Sequence, residues 1–332
     1  MAFEQYGFKD YNQSSYWQQV VGLKYVDLFT ESIAPITNKP LVEIADYGCS
    51  EGANSIIFFN KVIQALKNRL ITSAISITHC DLPDNDWSSL NNLLITSESS
   101  YLKQPSVYSS NIGRSFYNQL FPSNSIDVGH SAFSLHYLSN QDENQSKYPE
   151  LNHLDAPRKA FLDMYKLLTL RIEELVPSGH FFAIVGFEAE ERPIVAAEIM
   201  NKTFGKMIGN GFLTAEEMGN FKLAVELLKR SEWDQLLDVL KTKAKVVHFS
   251  TEKSICPYYT EYLHDNDIEK LVEGVSRFYY VLIENSVKCC LKRENKDLTL
   301  KNFKEELKNA IRDHVAEIFF YVVVLILQKN SD

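Results

Sequence analysis

Grouped positive charge, long apolar runs and paired cysteines are all scarce in this 332-residue sequence. Lys and Arg number 34 against 43 Asp and Glu, for a net charge of -9, and no basic cluster breaks the pattern. Phosphate neutralisation needs grouped cations, so no nucleic-acid partner is expected. The most apolar run, "FFYVVVLIL" (Phe319 to Leu327), is about half of the ~20 residues that span a bilayer, and its β-branched content suits the last buried strand of a sheet. No membrane anchor is therefore expected, and the opening "MAFEQYGFKDYNQSSYW" lacks the basic and then apolar order of a signal peptide. The five cysteines (Cys49, Cys80, Cys256, Cys289, Cys290) show no C-x-x-C spacing and no regular framework, which fits a reduced cytoplasm. Repeats and low-complexity tracts are absent. The 45% of apolar residues is enough for a large core, and the expected partner is a small molecule.

Apolar runs alternate with helical patterns through the first half. "LVEIADYG" (41–48), "SAISITHCDLP" (73–83), "SIDVGHSAF" (125–133) and "HFFAIVGF" (180–187) read as strands. "NSIIFFNKVIQALKNRL" (54–70) and a long segment with Pro157 near its start and Gly179 past its end read as helices. This alternation predicts an α/β fold with a doubly wound, mostly parallel sheet. From about 188 to 246 the period is nearly all helical, including "TAEEMGNFKLAVELLKRSEWDQLLDVLK", before "AKVVHFS" resumes as strand. Helical stretches from 266 to about 284 and over "LTLKNFKEELKNAIRDHVAEI" precede the terminal strand. The expected organisation is a sheet domain of residues 1–187 and 246–332, with 1–30 closing over the site. Residues 188–245 and part of 256–300 form a helical cap for substrate over the carboxyl ends of the strands.

The turn "EIADYGCSEGAN" (Glu43 to Asn54) carries Gly48 and Gly52 between the first strand and the next helix, where backbone can approach a ligand closely. Dinucleotide enzymes place G-x-G-x-x-G there, and methyltransferases a looser D-x-G-x-G for S-adenosylmethionine. The third glycine of the dinucleotide pattern is Ser55, and Glu51 would bring negative charge toward a pyrophosphate. S-adenosylmethionine has no phosphate, and its ammonium suits an acidic residue such as Asp46. Asp81, at the end of the second strand in "HCDLPDNDW", is placed to accept from two ribose hydroxyls. An ordinary strand-to-helix turn is the bland alternative, which Gly48 and Gly52 with Asp81 in register count against.

Several motifs together resemble the SABATH methyltransferases, which use S-adenosylmethionine to methylate small carboxylic acids and, in one branch, xanthine nitrogens. "YNQSSYWQ" (Tyr11 to Gln18) is similar to the family's Y-A-x-N-S-x-x-Q, "DYGCSEGAN" to its D-L-G-C-S-x-G-x-N, and "CDLPDNDW" to its N-D-L-P-x-N-D-F. "RSFYNQLFP" (Arg114 to Pro122) resembles G-S-F-Y-x-x-L-F-P, and "HSAFSLHYLS" (His130 to Ser139) resembles H-S-S-Y-S-L-H-W-L-S. The resemblance assigns the cofactor to Tyr11, Ser15, Cys49, Asn54, Asp81, Leu82, Ser115 and Phe116. It assigns the substrate carboxylate to the Gln18 amide and to the position of a family Trp that is Tyr137 here; Phe133 replaces a Tyr and His136 faces the substrate. It also implies a homodimer.

Blander readings stand beside these. Phe116 and Phe320 read equally as core, and Cys49 as an inert buried thiol. His79, His130 and His136 flank the strands without H-x-E or H-x-x-x-H pairing, so no metal is expected. "GHSAFS" is not a nucleophile elbow around Ser131, and Cys289 and Cys290 read as core. Trp17, Trp87, Phe133, Tyr137 and Phe320 can supply an apolar pocket. The leading expectation is a carboxyl O-methyltransferase for a small aromatic or apolar acid, acting by positioning with no catalytic base. The alternatives are N-methylation of a heterocycle with His136 as the only obvious base, a cofactor-binding protein without transfer, and, more distantly, a nicotinamide oxidoreductase.

Overall fold

The computed structural model describes residues 11–331 except 34, 36–38, 70–72, 141–143, 192–193 and 293–295. Helices α1 (Tyr11–Ser14), α2 (Tyr16–Leu23) and α3 (Val26–Ile33) lead into β1 (Leu41–Tyr47), α4 (Ala53–Asn68), β2 (Ala74–Asp81), α5 (Trp87–Thr96) and β3 (Val107–Gly113). β4 (Ile126–Ala132), α6 (Lys159–Glu174) and β5 (Leu175–Glu188) complete the first half. The second half holds α7 (Ile194–Gly209), α8 (Ala215–Gly219), β6 (Leu228–Lys229), α9 (Arg230–Leu240) and β7 (Ala244–Ile255). It ends with α10 (Pro257–Asp265), α11 (Ile268–Cys290), α12 (Asp297–Arg312) and β8 (Phe319–Lys329).

The strands form one sheet in the order β3-β2-β1-β4-β5-β8-β7, with the short β6 beside β5. β1 to β5 pair in parallel, and β8 runs antiparallel between β5 and β7. This is the doubly wound, mostly parallel sheet expected from the alternation of strands and helices. Along β8, Val322, Val324 and Ile326 join one apolar cluster and Val323, Leu325 and Leu327 the other. A strand buried on both faces loses the polar alternation of a half-exposed one, which is why its sequence is a continuous apolar run. Among the described residues no helix is long and apolar enough to cross a membrane.

The helical stretches pack in two places. α7 lies on α12, which contacts α11, which contacts α10, whereas α9 packs against α6, β6 and β7. The helical period read over Thr214 to Lys241 is only partly realised, in α8 and α9: α8 ends at Gly219, and residues 220–227 form neither helix nor long strand. Their backbone is taken by the loop after β4. Leu138 N–H donates to Ala224 O at 2.8 Å and Glu226 N–H to His136 O at 3.2 Å, making an antiparallel bridge between Tyr137 and Val225. Tertiary pairing overrides a helical period that is present in the residues.

Candidate active site

The site is built at the carboxyl ends of β1, β2 and β4. The β1 to α4 turn is forced into left-handed backbone three times, at Gly48 (φ 82°), Ser50 (φ 48°) and Gly52 (φ 86°). A Cβ on Gly48 would lie 2.3 Å from Ser134 Cβ and Oγ and 3.6 Å from the Phe116 ring. The glycine therefore lets the loops carrying Ser134 and Phe116 close on the turn. Ser50 N–H donates to Asp81 Oδ2 at 2.6 Å and Leu82 N–H to Asp81 Oδ1 at 2.8 Å, so the turn and the end of β2 share one carboxylate. Burial pushes the Asp81 carboxyl up to about 6, against the two backbone donors that stabilise its charge.

Strand register sets a second feature. Asp46 pairs with His79 across β1 and β2 and with His130 across β1 and β4, so all three side chains stand in one row. His79 Nδ1 lies 2.8 Å from Asp46 Oδ2 and His130 Nδ1 2.8 Å from Asp46 Oδ1. Burial alone would raise the Asp46 carboxyl, but the bonds from His130 and His79 hold it well below the usual carboxylate range. An ionised carboxylate only accepts, so both imidazoles carry their proton on Nδ1. His79 Nε2 lies 2.7 Å from the Tyr101 hydroxyl, which donates to Ser109 Oγ at 3.0 Å, while His130 Nε2 is buried with no partner among the described residues. The donor atoms of Asp46, Cys49 and His79 lie within 4.8 Å of one another. They are already engaged: the Asp46 oxygens accept from imidazoles, and burial pushes the Cys49 thiol well up, keeping its proton where a metal would require thiolate.

One cavity is lined by Tyr11, Gln18, Asp46, Gly48, Cys49, Asn54 and Phe133, all singled out from the sequence, together with Gln19, Ser55, Phe58 and His130. The N-terminal helices are latched over it. Asn12 N–H donates to Glu51 Oε2 at 3.0 Å, Asn12 Oδ1 accepts from Ala53 N–H at 3.0 Å, and the Asn54 amide bridges Ser15 O and Gln19. Glu51 is thus turned to α1, not to a ligand. Ser15 is buried, its hydroxyl unpartnered among the described residues. Phe133 holds a left-handed φ of 62°, a strained conformation for a bulky residue, and its ring meets Phe320 edge-on. Phe320 in turn packs on Trp17, whose indole N–H donates to Ser254 Oγ at 2.9 Å.

Ser115 and Phe116 lie on the neighbouring loop. Arg171 on α6 donates to Phe116 O and Asn118 O at 3.0 Å, and Glu174 accepts from Leu120 N–H at 2.5 Å and from the Tyr47 hydroxyl at 2.6 Å. His136 and Tyr137 follow Phe133, their rings 5.0 Å apart. Burial lowers the His136 imidazole to about 4, and its Nδ1 accepts from Gly186 N–H at 3.2 Å. Burial also pushes the Tyr137 phenol far above its ordinary value, with the nearby Tyr11 adding to the shift. The Tyr11 phenol is likewise raised, by burial and then by the charge of Asp81.

Of the residues expected at the site, Cys49 lines the described cavity, whereas Asp81, Leu82, Ser115, Phe116, His136, Tyr137 and Phe320 are not among its lining residues; no signal in the sequence pointed to the contacts of Asn12, Tyr101, Arg171 and Glu174. His79 and His130 were noticed, but their convergence on Asp46 depends on strand order, which one chain does not display.

The polar atoms suit a nucleoside carrying an ammonium. Among the described residues, Gln18 Oε1 and His130 Nε2 lack partners and belong to cavity-lining residues beside Asp46, so the cavity has polar atoms left for a ligand. S-adenosylmethionine presents an ammonium, ribose hydroxyls and an aminopurine.

Residues 6–330 match the family described as SAM dependent carboxyl methyltransferase. The farnesoic acid carboxyl-O-methyltransferase of Arabidopsis thaliana is 24% identical over 253 residues, covering 66% of this chain and 70% of that relative. The probable caffeine synthase MTL2 of Coffea canephora is 24% identical over 255 residues, 65% of this chain and 66% of that relative. Among solved structures, loganic acid methyltransferase with SAH superposes with a TM-score of 0.74 at 17% identity, over 98% of this chain and 99% of that one.

Proposed function

The chain belongs to the S-adenosylmethionine-dependent carboxyl methyltransferases, and we propose that it converts the carboxylate of a small apolar or aromatic acid to its methyl ester. The observation that carries this reading is a cavity lined by Asp46 and by the neutral side chains of Tyr11, Gln18 and Asn54. Asp81 bonds the turn at Ser50 beside it, and Tyr137 is assigned to the acid by the family resemblance.

When bound, S-adenosylmethionine supplies an electrophilic methyl group on a sulfonium and leaves as S-adenosylhomocysteine. Asp81 would accept from the ribose hydroxyls, Phe116 would face the purine, Asp46 would meet the ammonium, and the Gln18 amide would donate to the acid. A carboxylate of ordinary pKa near ~4 is already ionised, so no residue has to remove a proton from it. What the chain contributes is placement, which can supply on the order of 7–11 kcal/mol of a barrier. Tyr137 remains a protonated donor because burial raises its pKa. No Lys or Arg lines the described cavity, so the acid is oriented without a charge that would hold its electrons back. Phe133, Phe320 and Trp17 give the acid's remainder an apolar wall.

N-methylation would need a base, and His136 is poorly suited: its Nδ1 lone pair is taken by Gly186 N–H, and burial keeps the ring neutral down to about pH 4. The same proposal includes a homodimer, on the family resemblance, and a reducing cytoplasm, with which five free cysteines, four of them buried, are consistent. Sedimentation at micromolar protein tests the assembly.

The central test uses methyl-labelled S-adenosylmethionine with farnesoic acid, other isoprenoid and aromatic monocarboxylic acids, and a methylxanthine. A neutral, alkali-labile product from an acid is expected, with Gln18→Ala raising that acid's KM while sparing the cofactor's. Labelled xanthine without any ester would overturn the reading.

A further inference from the structure

Arg158, immediately before α6, is the hub of a charge cluster outside the cleft. Its Nη1 donates to Glu226 at 2.7 Å, its Nε to Glu232 Oε1 at 2.8 Å, and its Nη2 to Leu227 O at 3.0 Å and to Glu232 Oε2. Glu188 at the end of β5 lies 3.6 Å away, and Lys229 is 3.9 Å from Glu188. One guanidinium therefore gathers three carboxylates and a backbone carbonyl, a task for a planar five-donor fork that a Lys ammonium does not match.

Two of these partners, Glu226 and Leu227, lie in the 220–227 strap that crosses the loop after β4. The strap's Ala224 and Glu226 backbone pairs with Leu138 and His136, the residues on either side of Tyr137. Leu227 closes the same corner: a Cβ on Gly186 would lie 2.7 Å from its Cδ2 and 3.4 Å from His136 Nδ1. The loop's far end is fixed separately, with Ser139 N–H and Oγ donating to Asp163 at 2.8 Å each and Lys159 donating to Ser139 Oγ at 2.9 Å. Between those anchors the strap backs His136 and Tyr137, together with Gly186 N–H on His136 Nδ1 and the Tyr117 hydroxyl, which donates to Tyr137 O at 2.7 Å.

We propose that Arg158 is a positioning residue for the acid-binding end of the cleft, locking the 220–227 strap that sets where His136 and Tyr137 stand. The inference rests on the assignment of those two residues to the acid. Without Arg158, Glu188, Glu226 and Glu232 would lose the cation that gathers them, and their repulsion would lift the strap while leaving the turn at Gly48 and the Asp81 carboxylate untouched.

The test compares Arg158→Gln, Arg158→Lys and Glu226→Gln in the full chain, using the panel acid with the highest turnover. Arg158→Gln is expected to raise the acid's KM on the order of tenfold, consistent with loss of a positioned geometry, with the S-adenosylmethionine KM within about twofold. Arg158→Lys and Glu226→Gln are expected to be intermediate. Hydrogen exchange at the Leu138 and Glu226 amides is expected to quicken in Arg158→Gln, independently of turnover. An unchanged acid KM, an equal rise in both constants, or unaltered exchange at those amides overturns the proposal. Tyr137→Phe separates the layers: if it raises the acid's KM while Arg158→Gln does not, the latch alone fails. If Tyr137→Phe has no effect, the assignment of that end to the acid fails, and the latch with it.

Discussion

Asp81 is asked to be a double acceptor while burial holds its pKa near 6. Below that value the carboxyl carries a proton and gives up an acceptor, so affinity for S-adenosylhomocysteine is expected to fall roughly tenfold per pH unit below about 6 and to level off above it. Calorimetric titrations at pH 5.5 and 7.5 check this, and Asp81→Asn is expected to bind weakly with no such slope. A wild-type affinity that ignores pH would count against the ribose assignment. The unliganded fold responds in the opposite sense. A carboxyl whose folded pKa lies above its ordinary value favours the folded state below that ordinary value, and the contribution is lost as pH rises through about 6. Asp46, with its pKa depressed, stabilises above the usual carboxylate range and loses this as pH falls through it.

The strand-to-helix turn is the element on which the cofactor end depends. Gly48→Ala combines a left-handed φ with a 2.3 Å clash against Ser134, which itself bonds Tyr47 O. A loss of about 1–3 kcal/mol from backbone strain alone is expected, with cofactor affinity falling further, read from urea midpoints and calorimetry. Gly205→Ala in α7 meets nothing within 4 Å and is expected to stabilise by about 0.5–1 kcal/mol, so the pair separates geometry from composition. The turn, β1, β2, β8, α4 and α6 were legible because their apolar residues recur at the period of the element they form. β3 was not anticipated: at the sheet edge, "VYSSNIG" buries only Val107 fully and carries little apolar signal. The strap was misread as helix because "KLAVELL" has the period but its backbone is captured by the loop at His136 to Leu138. The Asp46 row was hidden for another reason, since its members are brought together by strand order across 84 residues of chain.

Across the molecule, the buried Arg171–Glu174 pair joins α6 to β1 through Tyr47 and to the loop that carries Phe116. Arg171→Ala leaves a buried carboxylate without its partner and is expected to cost about 3–5 kcal/mol in chemical denaturation, with weakened cofactor binding from the released loop. Such a pair was not readable from "LRIEEL", because burial of charge depends on what the rest of the chain lays over it. The antiparallel strand β8 has a temporal consequence. β5 ends at Glu188, and its neighbour in the sheet begins only at Phe319. At ribosomal rates of ~5–20 residues per second that interval lasts roughly 7–26 seconds. Throughout it, the edge of β5 that β8 will occupy is a naked row of amides and carbonyls flanked by oily side chains. A nascent polypeptide paused in that window is a natural client for a chaperone.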